Sequence, residues 1–130
     1  MREPAWVLQK IVIAVHQMLL AEHGGATGIR DQALLESALN RPQQRFTYDD
    51  ETSIFDLAAS YSYGLAKNHP FVDGNKRIAL TTGSIFLELN GYSLNASEPE
   101  TVIVFQQLAD GELTEEDLAD WFRRSSVLNA

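Results

Sequence analysis

Apolar residues recur at helical spacing along almost the whole chain. The spacing predicts a first helix over about Trp6–Glu22, with Leu8, Ile11, Val12, Val15 and Leu19 on one stripe and Gly24-Gly25 ending it. A second is expected over about Asp31–Asn40, with Leu34, Leu35 and Leu39 facing inward and Pro42 closing it. The polar run RPQQRFTYDDET that follows has no helical period and is expected to be irregular. Ser53 and Asp56 form a capping pair for a third helix, Ile54 to about Lys67, with Ile54, Ala58, Tyr61 and Leu65 on its stripe. A fourth helix starts near Asn75 and runs to about Asn90, where Gly91 ends it. Its Ile78, Leu80, Ile85, Phe86, Leu87 and Leu89 are apolar on more than one side, which predicts a buried, central helix. Ser97 with Glu100 caps a fifth helix through about Leu108. Thr114 with Asp117 caps a sixth, where Leu113 and Leu118 occupy staple positions. No internal repeat, low-complexity tract or linker interrupts the pattern. The expectation is an all-α fold: a single compact six-helix domain over residues 1–130, built around a central buried helix.

Composition narrows the chemistry. At 130 residues the chain can bury a real core without covalent staples. Its 45% hydrophobic and 22% charged residues are those of an ordinary soluble globular protein. It has no cysteine, which excludes disulfides, thiolate nucleophiles and sulfur-ligated zinc. The amino-terminal apolar run is broken by Gln9, Lys10, His16 and Gln17, and no clean cleavage site follows, so a helix is expected there and not a secretion signal. No stretch approaches the roughly 18 apolar residues of a membrane span, and a cytoplasmic location is expected. Ten Lys and Arg against 18 Asp and Glu give a net charge of -8, with the basic residues scattered except at Lys76-Arg77 and Arg123-Arg124. Direct nucleic-acid binding is therefore disfavoured, whereas a small anion held in one basic pocket is not.

The candidate chemistry lies in NHPFVDGNKRIAL, Asn68 to Leu80, between the third and fourth helices. Unsatisfied N–H groups at the start of the fourth helix favour an anion in the loop. Gly74 allows close backbone approach and positive φ. Lys76 and Arg77 put two cations in a first turn, where they are unfavourable unless an anion sits before them. Asp73 is a hard oxygen ligand suited to Mg²⁺, His69 can take the proton of an attacking hydroxyl, and the Asn75 amide can donate to a phosphate oxygen. Taken singly, each residue is more often a turn or capping residue than a catalytic one; in this order, opening a buried helix, they are the parts of a phosphate-transfer site.

HPFVDGNKR resembles the active-site motif of the Fic/Doc family, H-P-F-x-[D/E]-G-N-x-R. The Fic branch has glycine where Lys76 stands and a second arginine where Leu80 stands. The Doc (death-on-curing) branch has N-K-R and lacks that arginine, so the chain resembles a Doc-type toxin. The upstream EHGGATGIRDQALLESALNRPQ is similar to Doc-like proteins as well. The resemblance implies transfer of the terminal phosphate of ATP, with Mg²⁺, to a threonine of elongation factor Tu, which blocks translation. It implies His69 as general base, Asp73 as the Mg²⁺ ligand, Gly74, Asn75, Lys76 and Arg77 as phosphate holders, and Arg77 as a stabiliser of developing charge. It also implies a target-docking flap at Arg41–Thr52. No [S/T]-x-x-x-E-[G/N] inhibitory helix is found, which points to restraint in trans by a Phd-type antitoxin. The alternatives left open are a Fic-type AMP transferase and a non-catalytic module that engages only its partner. His16 and His23 are expected on helix faces and ends, and Trp6 and Trp121 in packing.

Overall fold

The computed structural model describes every residue, Met1–Ala130. Six helices follow in order: α1 (Gln9–His23), α2 (Gln32–Tyr48), α3 (Ile54–Asn68), α4 (Asn75–Leu89), α5 (Glu98–Ala109) and α6 (Glu115–Ser125). Two three-residue strands, β1 (Tyr92–Leu94) and β2 (Ser126–Leu128), pair antiparallel with Ser93 opposite Val127. This ribbon was not expected; it ties the end of α4 to the carboxy terminus, and Asn129 N–H donates to Gly91 O at 2.8 Å. The all-α, six-helix expectation holds.

A buried helix does stand at the centre, but it is α3 and not α4. Leu57, Ala58, Ala59, Ser60, Tyr61, Ser62, Gly64, Leu65 and Ala66 are all buried, covering every side of α3. Its small residues let α2, α4 and α6 approach together, which apolar periodicity alone does not reveal. Capping follows the sequence. Ser53/Asp56 and Thr114/Asp117 form complete capping boxes. Ser97 Oγ accepts from Glu100 N, but the Glu100 carboxylate turns to Trp121 Nε1 at 3.1 Å.

Two helices depart from expectation. On α1 the buried residues are Val12, His16 and Leu20, while Leu8 is 55% and Ile11 41% exposed. The helix starts after Leu8 and turns His16 inward. Helix α2 continues through Pro42 for almost two further turns, so Arg41–Tyr48 is helical and not irregular. Pro42 forfeits one backbone bond, but Arg41 and Arg45 both reach Glu115 on α6, the latter at 3.0 Å. Phe46 packs edge-on to Trp6, ring centres 5.8 Å apart. Those tertiary contacts outweigh the proline.

Tyr61, fully buried in α3, accepts the Val7 N–H at 3.1 Å. Burial pushes its phenol up to about 12, partly offset by the Val7 hydrogen bond. Below the ordinary value of 10.0 both folded and unfolded chains hold the proton and the contribution to stability is complete. Between pH 10 and about 12 only the unfolded chain loses it, so stability falls with rising pH by about 1.4 kcal/mol per unit. Urea titrations across this window are expected to show a steeper decline for the native chain than for Tyr61→Phe. Parallel declines would contradict it.

Candidate active site

The chain leaves α3 at a strained residue. His69 is the C-cap, in the left-handed region at φ 50, ψ 53, and is the one non-glycine residue with positive φ. Such a conformation costs on the order of 1–2 kcal/mol and persists only where neighbours enforce it. Arg30, in the α1–α2 connection, supplies the enforcement: Nε donates to His69 O at 2.7 Å and Nη2 to Asn68 O at 2.8 Å. Asn68 Nδ2 reaches Leu34 O at 2.9 Å. The connection also runs antiparallel to the loop, with a bridge between Ile29 and Phe71 and a Val72 N–H to Gly28 O bond of 3.1 Å. Removing Arg30 as Arg30→Ala is expected to cost about 1–2 kcal/mol, because the carbonyls of residues 68 and 69 lose a charged donor beside the strained C-cap. Urea unfolding reads this directly, and an unchanged midpoint would sink it.

Phe71 is buried and anchors the loop in the core. His16, only 2% exposed, stacks flat on it with centroids 3.7 Å apart and donates from Nε2 to Asp73 O at 2.7 Å. A carbonyl can only accept, so His16 carries its proton on Nε2. Asn75, 4% exposed, ties the loop to α4: Oδ1 accepts the Phe71 N–H at 3.0 Å and Nδ2 donates to Phe71 O at 2.9 Å. Nδ2 also lies 3.3 Å from His69 Nδ1. Its amide is thus committed to shaping the loop. Gly74 enters α4 at φ 80, ψ 17, a conformation that costs glycine little and other residues more.

These residues converge on one cavity of about 520 Å³ between the loop, the start of α4 and α5. His69, Asp73, Gly74, Asn75, Lys76 and Arg77 all line it, with Leu80 and, from α5, Thr101, Val102, Phe105 and Gln106. Its size suits a nucleotide-sized ligand. No side chain caps the amino end of α4. Neither Lys76 nor Arg77 has a carboxylate within ion-pair distance. Positive charge, helix dipole and free N–H groups therefore add at the start of α4, with neither cation paired to a carboxylate. Asp73 accepts the Ala26 N–H on Oδ2 at 2.7 Å and likewise has no cationic partner. No group of three or more His, Cys, Asp or Glu side chains is placed to hold a metal ion. One carboxylate with no protein cage fits a Mg²⁺ ion bound chiefly by phosphate oxygens.

The Fic/DOC family model matches residues 6–87, well over half of the chain and the whole of the loop. The chain belongs to the Fic/Doc family. A Doc-type relative, "Protein kinase doc" of Escherichia phage P1, is 34% identical over 113 residues, covering 87% of this chain and 89% of the phage protein. "Toxin Doc" of Mycolicibacterium smegmatis (strain ATCC 700084 / mc(2)155) is 42% identical over 74 residues, 56% of this chain and 57% of that toxin. Homology to Doc-type toxins thus runs over almost the full Fic/Doc chain. No helix is long and apolar enough to cross a membrane.

The six residues singled out from the sequence all line this cavity. Arg41–Thr52, expected to form the docking flap, contributes nothing to its lining. Arg30, His16 and the α5 wall were missed. EHGGATGIRD was marked only by resemblance, and nothing local assigns Arg30 to the carbonyls of residues 68 and 69. His16 read as a helix-face residue because a lone polar side chain in an amphipathic stripe carries no sign of what it meets.

Proposed function

We propose that the chain is a Doc-type toxin that transfers the terminal phosphate of ATP to a threonine of elongation factor Tu and so halts translation. The observation that carries this reading is the pair Lys76 and Arg77, free of carboxylates, at the uncapped start of α4 in the cavity that holds His69 and Asp73. Leu80 supports it, since this cavity wall is apolar where the adenylyl-transferring branch bears a second arginine. So do the names of the relatives, one a protein kinase and the other a toxin.

In this reading Lys76, Arg77 and the N–H groups of the first turn of α4 hold the phosphates and stabilise charge as it develops. His69 takes the proton of the threonine hydroxyl, from a backbone held rigid by Arg30. Asp73 would hold Mg²⁺, which supplies charge neutralisation on the phosphate oxygens. Asn75 and His16 fix the loop on which these groups stand. Restraint comes from a Phd-type antitoxin that folds onto the toxin.

Intact-mass spectrometry of elongation factor Tu, incubated with the chain and Mg-ATP, is expected to show a gain of one phosphate. A gain of one adenylyl group would replace this reading with AMP transfer. No gain, with folded and antitoxin-free protein, would leave only a binding module.

A further inference from the structure

The α5 wall carries a hydrogen-bonded chain that none of these roles involves. Lys76 Nζ donates to Gln106 Oε1 at 2.8 Å, and Gln106 Nε2 donates to Asp110 Oδ1 at 2.9 Å. Gln106 lies in the last turns of α5 and Asp110 caps it, so the two are one turn apart on a single face. The helix is itself fixed against α6: Phe105 meets Trp121 edge-on at 6.2 Å, and Trp121 Nε1 holds Glu100 at the other end. Lys76 is thereby tied to a rigid neighbour and not left to sweep the cavity mouth.

We propose that Gln106, oriented by Asp110, is the positioning residue for the Lys76 ammonium and sets how much more tightly the cavity holds terminal phosphates than AMP. This rests on the phosphate-binding reading of the site. The chemistry of the three groups is specific. An ammonium has three donors, so one spent on Gln106 leaves two for phosphate oxygens. An amide oxygen anchors the ammonium without cancelling its charge, whereas a carboxylate in its place would form an ion pair and compete with phosphate. An amide also has two ends, and the NH₂ end facing Lys76 would be repulsive. Asp110 can only accept, so it draws the NH₂ end to itself and turns the oxygen toward Lys76. Anchoring in advance removes the ordering cost of a four-carbon side chain from the binding step.

The test is titration calorimetry of Mg-ATP and of AMP against the native chain and its variants, each checked for native melting. Gln106→Glu is expected to weaken Mg-ATP binding by about tenfold, on the scale of one partly screened charge pair, with AMP changed by less than about twofold. Asp110→Ala is expected to weaken Mg-ATP by roughly threefold, and Asp110→Asn, which keeps an acceptor, to restore most of it. In a Lys76→Met background the Gln106 effect should vanish. A Gln106→Glu variant with an unchanged ratio of Mg-ATP to AMP affinity would overturn the proposal, as would an equal effect without Lys76. The readout needs no transfer: a chain that binds Mg-ATP in this pattern but leaves elongation factor Tu unmodified refutes phosphate transfer and retains the role of Gln106. A native chain that binds no nucleotide refutes both.

Discussion

Replacing His69 with alanine is expected to lower phosphate transfer by about 10²–10⁴-fold while the fold survives, the range set by loss of a positioned general base. Its ring lines the cavity beside Asp73, Lys76 and Arg77, and its side chain is exposed, so no core packing is lost. Asn75 Nδ2 faces Nδ1 at 3.3 Å, which in the neutral ring leaves the proton on Nε2. Taking a substrate proton at Nε2 therefore requires the ring to move its own proton to Nδ1 and give up that long contact. Alanine at position 69 also occupies the left-handed region less readily than histidine, so a modest loss of stability, on the order of 1 kcal/mol, accompanies the kinetic one. Initial rates and a melting curve on the same preparation separate the two. Transfer within about threefold of the native rate would remove His69 from the chemistry.

The largest effect on stability is expected far from the cavity, at Gly83. A Cβ added there would run into Ser62 Oγ, and would stand 3.0 Å from Phe122 Cζ and 3.3 Å from Ala58 O. These atoms belong to α3 and α6, so the glycine is a place where α4 lies close against both. Ser62 cannot simply turn aside, because its hydroxyl donates to Ala79 O at 2.6 Å inside the core. Valine at 83 gains only about 0.4 kcal/mol of helix propensity but costs an overpacked core and a buried hydroxyl without its partner. Gly83→Val is expected to lose about 3–5 kcal/mol, a large part of the stability of a domain this size. Urea unfolding within 1 kcal/mol of the native chain would show that the helices part more easily than this.

What the sequence revealed follows from how local each feature is. His69, Asp73, Gly74, Lys76 and Arg77 sit within nine residues, so one loop and one helix start bring them together, and their chemistry is written in order. The caps of α3, α5 and α6 are equally local, and they appear where Ser53, Ser97 and Thr114 stand. The failures are tertiary. Pro42 reads as a stop because the salt bridges of Arg41 and Arg45 to Glu115 span 74 and 70 residues of sequence. Helix α4 reads as central because its residues are large and apolar, yet centrality belongs to α3, whose alanines, serines and glycine allow neighbours on all sides. Gln106 is 30 residues from the lysine it holds, and its amide looks like any exposed polar side chain until α5 is set beside α4.

The central claim, that the cavity transfers a terminal phosphate, is tested most directly by labelling. Elongation factor Tu is incubated with the native chain, Mg²⁺ and ATP radiolabelled either at the γ-phosphate or at the α-phosphate. The predicted result is label on elongation factor Tu from the γ-labelled nucleotide alone, and none when His69→Ala replaces the native chain. Label from the α-phosphate, or none from either nucleotide with folded and antitoxin-free protein, would contradict it.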